Sequence, residues 1–192
     1  MGSRRRIGIF AGSFNPPTHA HLALIRAAAR HVDEVVAVLP RTFPHKIYDG
    51  ATLEQRIAML EAIAVAQPFS VQVTAGGLFI EIAREFRKVH GADSDLWFLC
   101  GRDAAERILE WNYGEPQAIH KMMEEFGLLV AARGGDLLAP PELAHRIQTL
   151  TVPLHIDEIS SSEVRGRVRA NGEWEHLVPT EIAAMVGEIY RA

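Results

Sequence analysis

One cysteine in 192 residues excludes an internal disulfide framework. That residue, Cys100, sits in the apolar run Leu96-Trp97-Phe98-Leu99-Cys100, where a free thiol serves as a small core hydrophobe. No apolar stretch approaches the roughly 20 residues of a membrane span, which excludes a membrane partner. Met1-Gly2-Ser3-Arg4-Arg5-Arg6 leads into a short strand instead of a signal-peptide core, so the chain is read as cytoplasmic. A basic excess is missing too: Lys and Arg number 20 against 24 Asp and Glu, a formal net charge of -4. Polyanion binders carry the opposite imbalance, which excludes nucleic acid as a partner and confines any phosphate site to a local cluster. The Arg4-Arg5-Arg6 triplet is accordingly read as a solvated end. There is no repeat, no low-complexity tract, no loop long enough for an interdomain linker and no Cys/His cluster with zinc-ligand spacing.

What remains is a chain with 48% hydrophobic residues, enough to bury a core as a single domain over 1–192. Short apolar runs alternate with longer helical patterns. Strands are predicted over 7–11, 34–39, 70–74, 95–100, 127–132 and 152–156, and helices over 19–31, 53–66, 78–90, 103–126 with a break near Tyr113-Gly114, 141–149, 161–170 and 180–190. Thr52 with Gln55, and Ser160 with Glu163, have capping-box spacing and mark two of the helix starts. The alternation predicts an α/β fold, a Rossmann-like parallel sheet with helices on both faces. Ligands of such sheets collect beyond the carboxyl ends of the strands. That rule gathers Gly12 to His21, Pro40 to Lys46, Gly101 to Asp103, Arg133, and Ile159 to Arg165 at one rim.

Two of these segments carry chemistry. Gly12-Ser13-Phe14-Asn15-Pro16-Pro17 joins a buried strand to a helix. Glycine permits close backbone approach, the prolines stiffen the turn, and the unpaired N–H groups of the following helix favour an anion. Thr18 and His21, three positions apart, share a helix face and can point at one ligand, whereas His19 is left as structural. In Ile159-Ser160-Ser161-Ser162-Glu163-Val164-Arg165, hydroxyls and backbone donors meet at a helix start with Arg165 within a turn of them. A cation there is slightly unfavourable by itself, and a bound anion would give it a reason.

Together the two segments resemble the nucleotidylyltransferase superfamily, with its Gly-x-Phe-x-Pro-x-[His/Thr]-x-x-His motif near the start and Ile-Ser-Ser-[Ser/Thr]-x-x-Arg near the end. Within it, the chain looks most like the bacterial nicotinate mononucleotide adenylyltransferases. Pro44-His45-Lys46, Arg56-Ile57-Ala58-Met59-Leu60, and Gly101-x-Asp103 followed by Trp111 carry that narrower likeness. The resemblance implies transfer of AMP from ATP to nicotinate or nicotinamide mononucleotide, with release of pyrophosphate, in NAD biosynthesis. Magnesium arrives with the triphosphate, no side chains are assigned as dedicated metal ligands, and the enzyme can form a homo-oligomer. Thr18, His21, Lys46 and Arg165 are then the catalytic set. Gly12, Ser13, Phe14, His21, Gly101, Asp103, Ser160, Ser161, Ser162 and Arg165 surround ATP, and Ser13, Phe14, Lys46 and Trp111 face the acceptor.

Some of these positions carry a second reading. Asp103 accepts from the ribose hydroxyls, caps the next helix, or does both. Lys46 is otherwise a solvated loop lysine. Trp111 is either a platform for the pyridine ring or a core residue, whereas Trp97 and Trp174 are assigned to packing. The chain departs from its relatives in having Thr18-His19-Ala20-His21 for His-x-Gly-His and Arg102 for the alanine of Gly-Ala-Asp. It also has Leu78-Phe79-Ile80 where a Tyr-Thr pair usually helps hold the nicotinate carboxylate. Phe79 and Ile80 have no hydroxyl to give. A related transferase using ATP or CTP with another phosphorylated acceptor, such as phosphopantetheine or glycerol phosphate, therefore stays open, as does a non-catalytic nucleotide-binding module.

Overall fold

Six strands pair in parallel because both of their faces are apolar and each successive connection crosses over the sheet. The computed structural model describes residues 4–42, 50–110, 114–115, 117–131, 139–153, 156 and 159–191. Strands β1 (Arg6–Ala11), β2 (Glu34–Pro40), β3 (Ser70–Thr74), β4 (Asp95–Gly101), β5 (Gly127–Ala131) and β6 (Ile147–Leu150) lie in the order β3-β2-β1-β4-β5-β6. Every neighbouring pair is parallel. Helices α1 (His19–Ala28), α2 (Leu53–Ala64), α6 (Ser161–Arg169) and α7 (Ala183–Tyr190) cover one face, and α3 (Phe79–His90), α4 (Arg102–Glu110) and α5 (Ala118–Glu125) cover the other.

Strand alternation sorts the two cores. Val35, Ala37 and Leu39 of β2 pack with Ile25, Leu60, Val164 and Val186 on the first face. Val36 and Val38 pack with Ile82, Phe86, Ala105 and Met123 on the second. Cys100 belongs to this second core, and burial pushes its thiol up to about 12, which keeps it a neutral hydrophobe as expected. The Rossmann-like expectation is borne out. The strand order reverses between β1 and β4, and this is the switch point beside which nucleotide folds of this order place their ligands.

The main correction concerns the last strand. The expected helix over 141–149 is only a 3-10 turn, Ala144–Arg146, followed at once by β6. Leu143, Ile147 and Leu150 have helical spacing, but pairing of Ile147 to Leu150 with Leu128 to Ala131 completes the edge of the sheet and overrides it. The expected strand over 152–156 does not form at Val152-Pro153, since proline has no N–H for a ladder; residues 154 and 155 lie outside the described residues. The helix expected over 180–190 opens with a 3-10 turn, Thr180–Ile182, before α7. Among the described residues no helix is long and apolar enough to cross a membrane.

The amino-terminal arginines are not all solvated. Arg5 reaches Glu34 at 2.7 Å, and Arg6 and Arg146 lie over the Trp97 ring at 4.5 and 4.8 Å from its centre. Asp95 ties this stack together, accepting from Trp97 Nε1 at 2.6 Å and Arg146 Nη1 at 2.9 Å. Burial opposes ionisation of Asp95, but the Trp97 and Arg146 bonds and the charges of Arg146 and Arg6 outweigh it and hold the carboxyl below its ordinary range. Its stabilising contribution is therefore complete above the unfolded-state pKa, near 4, and is lost as pH falls through the lower folded value. Asp95→Asn is expected to cost about 1.5 kcal/mol at pH 7. Urea melts at pH 7 and pH 3.5 check this: the gap between the two proteins narrows at the lower pH, and an equal gap at both would remove the ion pairing from the account.

Candidate active site

The β1–α1 turn is built to be rigid. Gly12 N–H donates to the Val38 carbonyl at 3.0 Å and carries the β1–β2 ladder one residue further. A Cβ on Gly12 would lie 3.2 Å from the Phe14 ring, so glycine lets that ring fold back under the turn. Phe14 takes the left-handed conformation, φ 47, a strained choice that surrounding contacts must hold. Its ring is fully buried, edge-on to Phe10 at 5.3 Å and 5.1 Å from the His21 ring. Phe14, expected from the motif to lie beside ATP and the acceptor, is wholly buried in the first core beneath the turn.

Thr18 and His21 meet as the spacing predicts, though with a division of labour. Thr18 is the N-cap of α1 and is fully buried. Its backbone N–H donates to His21 Nδ1 at 3.1 Å, and its hydroxyl lies 2.8 Å from the same nitrogen. Because a backbone N–H can only donate, Nδ1 is an acceptor and the proton of the neutral imidazole is on Nε2. Thr18 thus holds the His21 ring while its own side chain is buried. His19 turns to the far side, where burial and then the charge of Arg26 hold its pKa below the ordinary value.

The second segment comes to the same place. Ser160 caps α6, its hydroxyl accepting from Glu163 N–H at 3.1 Å; the Glu163 carboxylate pairs with Arg167 at 2.6 Å instead of closing the expected capping box. Ser161 donates its hydroxyl to the Pro16 carbonyl at 2.8 Å, so what it offers an anion is its first-turn N–H. Arg165 donates Nη1 to the Asn15 carbonyl at 2.6 Å and Nη2 to Ser162 Oγ at 3.3 Å, which leaves the Ser162 hydroxyl proton to be donated elsewhere. His21, Gly101, Ile159, Ser160 and Ser161 line one cleft of about 250 Å³ at the carboxyl ends of β1 and β4. A helix start with unpaired N–H groups and an imidazole donor facing one cleft is chemistry suited to phosphate.

The remaining expectations divide. Gly101 borders the cleft, while Asp103 is exposed and lies one residue inside the first turn of α4, not at its cap. Arg102, unusual at a helix start, is balanced by Glu106 at 2.6 Å. Lys46, Trp111 and Arg133 lie outside the described residues. Phe79 stacks on Phe98 at 4.2 Å in the second core, and with Ile80 it borders a separate apolar groove of about 690 Å³ formed with Ile108, Met122 and Phe126. Trp97 and Trp174 are core residues, as assigned. Sequence reasoning overlooked three supports of the turn: Arg56, which donates to the Ser13 carbonyl at 2.9 Å; the Asn15 side chain; and Tyr190, whose hydroxyl donates to Asn15 Oδ1 at 2.5 Å. The available signal was that a tyrosine on the apolar face of the last helix must find a partner.

A parallel 3-2-1-4-5-6 sheet with a phosphate-suited cleft at its switch point defines a nucleotide-handling α/β protein. The cytidylyltransferase-like family matches over residues 9–167, and the chain belongs to that family. It is 31% identical to a protein of Bordetella petrii named a probable nicotinate-nucleotide adenylyltransferase, over 97% of this chain and 100% of that one. A protein of the same name from Salinibacter ruber is 29% identical over 96% and 97% of the two chains. The fold is shared with the solved structure of Plasmodium falciparum nicotinic acid mononucleotide adenylyltransferase complexed with NaAD, at TM-score 0.70 and 17% identity over 96% of each chain.

Proposed function

We propose that the chain transfers AMP from ATP to nicotinate mononucleotide, a step of NAD biosynthesis. An oxygen of the acceptor phosphate attacks the α-phosphorus, a new P–O–P link forms, and the bond to the β-phosphate breaks to release pyrophosphate. A phosphate monoester is ionised near neutral pH and needs little base assistance, so alignment and charge neutralisation remain for the protein. The observation that carries the reading is the convergence of His21, with its proton directed to Nε2, and the α6 start on one cleft. His21 donates to the α-phosphate, and Thr18 fixes its ring. The N–H groups of Ser161 and Ser162, the Ser160 and Ser162 hydroxyls, and Arg165 take the β- and γ-phosphates. ATP enters as its magnesium complex, the ion keeping waters and sharing phosphate oxygens.

Gly12 and Ser13 border the reacting phosphates, with Phe14 supporting the turn beneath them, and Gly101 and Asp103 border the adenosine. Lys46 and Trp111 keep the acceptor roles that the family resemblance gives them. The packing of Phe79 against Phe98 favours a second reading, a different phosphorylated acceptor, because no hydroxyl is offered there. Pyrophosphate release from ATP, measured with nicotinate mononucleotide, nicotinamide mononucleotide and phosphopantetheine in turn, decides. Release with the nicotinate form at least about tenfold faster than with the others is expected, in line with what a polar contact discriminates. Release with phosphopantetheine alone would establish the second reading, and ATP binding without release would make the chain a binding module.

A further inference from the structure

Between Ser13 and Pro16 the chain is gripped from behind by three helices. Arg56 of α2, itself only 4% exposed, donates to the Ser13 carbonyl at 2.9 Å. From α6, Arg165 takes the Asn15 carbonyl and Ser161 the Pro16 carbonyl. From α7, at the other end of the chain, Tyr190 donates to Asn15 Oδ1 at 2.5 Å, and the same oxygen accepts from Ala51 N–H at 3.3 Å. Connections of this kind usually belong to the least stable part of a fold. Here Phe14 to Thr18 are all buried, and two of the clamps are side chains with no role assigned at phosphate, the Arg56 guanidinium and the Tyr190 phenol.

Of these two, the phenol is the uncharged one. Tyr190 is 1% exposed, and its ring is seated against Gly50, where a Cβ would come within 2.6 Å of it. Gly50 has φ +104, which suits glycine on both counts. Burial raises the pKa of the phenol, and the nearby charges of Arg165 and Arg56 offset only part of that, so the group stays a donor at any working pH. A hydroxyl so held orients one atom, Asn15 Oδ1, and through that residue the carbonyl to which Arg165 is bound.

We propose that Tyr190 is a positioning residue for nucleotidyl transfer: its hydroxyl locks Asn15, and Asn15 sets the placement of Arg165 and of the turn beneath His21. The inference rests on the proposed function for its kinetic readout but not for its structural one. Tyr190→Phe keeps the ring in the core and leaves Asn15 Oδ1 its bond from Ala51, so the fold is expected to survive with a melting temperature lowered by no more than about 5 °C. Measured well below that temperature, kcat for pyrophosphate release is expected to fall about tenfold while the KM for ATP changes less than threefold, the mark of lost alignment.

Coupling supplies the second readout. If the phenol acts through the turn that Arg165 grips, Tyr190→Phe costs little further kcat in an Arg165→Lys background. Full additivity, or unchanged kcat beside a lowered melting temperature, would reduce Tyr190 to a core residue and overturn the proposal. Should the wild-type protein release no pyrophosphate with any acceptor, the functional reading fails by itself. Amide exchange at residues 13–18 and calorimetric ATP affinity of Tyr190→Phe still decide the inference: faster exchange with weaker binding supports it, and no change in either overturns it.

Discussion

Replacing His21 with alanine is expected to lower kcat by about two orders of magnitude or more while leaving the KM for ATP within about threefold. The split follows from what the imidazole does. With Nδ1 engaged by the Thr18 N–H, Nε2 carries the proton, and a neutral N–H donor binds ground-state ATP only weakly. Negative charge builds on the non-bridging oxygens of the α-phosphate as the acceptor oxygen arrives, and the same donor is worth most at that point. Thr18→Val is the finer version of this experiment, since it removes the hydroxyl 2.8 Å from Nδ1 but keeps the backbone donor. Steady-state kinetics on both variants check the assignment. Near-native kcat in His21→Ala would remove the imidazole from the chemistry, whatever the cleft looks like.

How much of this was readable beforehand depends on the range over which each feature is determined. The strands β1 to β5 and the Thr18–His21 pair follow from local periodicity: alternate residues sort to the two cores, and a spacing of three places two side chains on one helix face. The family motifs added order and separation across most of the chain. What failed was non-local. β6 is a strand because the edge of β5 needs a partner, a fact that residues 141–150, with their helical spacing, do not contain. The burial of Phe14, with its ring against Gly12, is likewise a matter of packing that the motif does not display. Tyr190 and Asn15 are 175 positions apart, and nothing in either neighbourhood names the other. Arg6 likewise looked like one of three solvated cations until β4 brought Trp97 and Asp95 beside it.

Arg165 carries the other large expected effect, and here the comparison between two substitutions is more informative than either alone. The guanidinium is shared between the Asn15 carbonyl and Ser162 Oγ within the protein, and the remaining N–H donors are those assigned to the β- and γ-phosphates. Arg165→Ala removes both connections and is expected to lower kcat/KM for ATP by about 10² to 10³. Lysine keeps the charge but is a compact point donor that cannot hold a carbonyl and a phosphate with one planar fork. Arg165→Lys is therefore expected to fall between, at about tenfold, with the loss in kcat exceeding the loss in ATP affinity because charge is retained and alignment is not. If lysine were fully active, charge alone would suffice and the bond to Asn15 would be incidental. If lysine were as poor as alanine, the fork geometry would be the whole contribution. Alanine within twofold of wild type would detach the α6 start from the triphosphate, leaving His21 with no partner across the cleft.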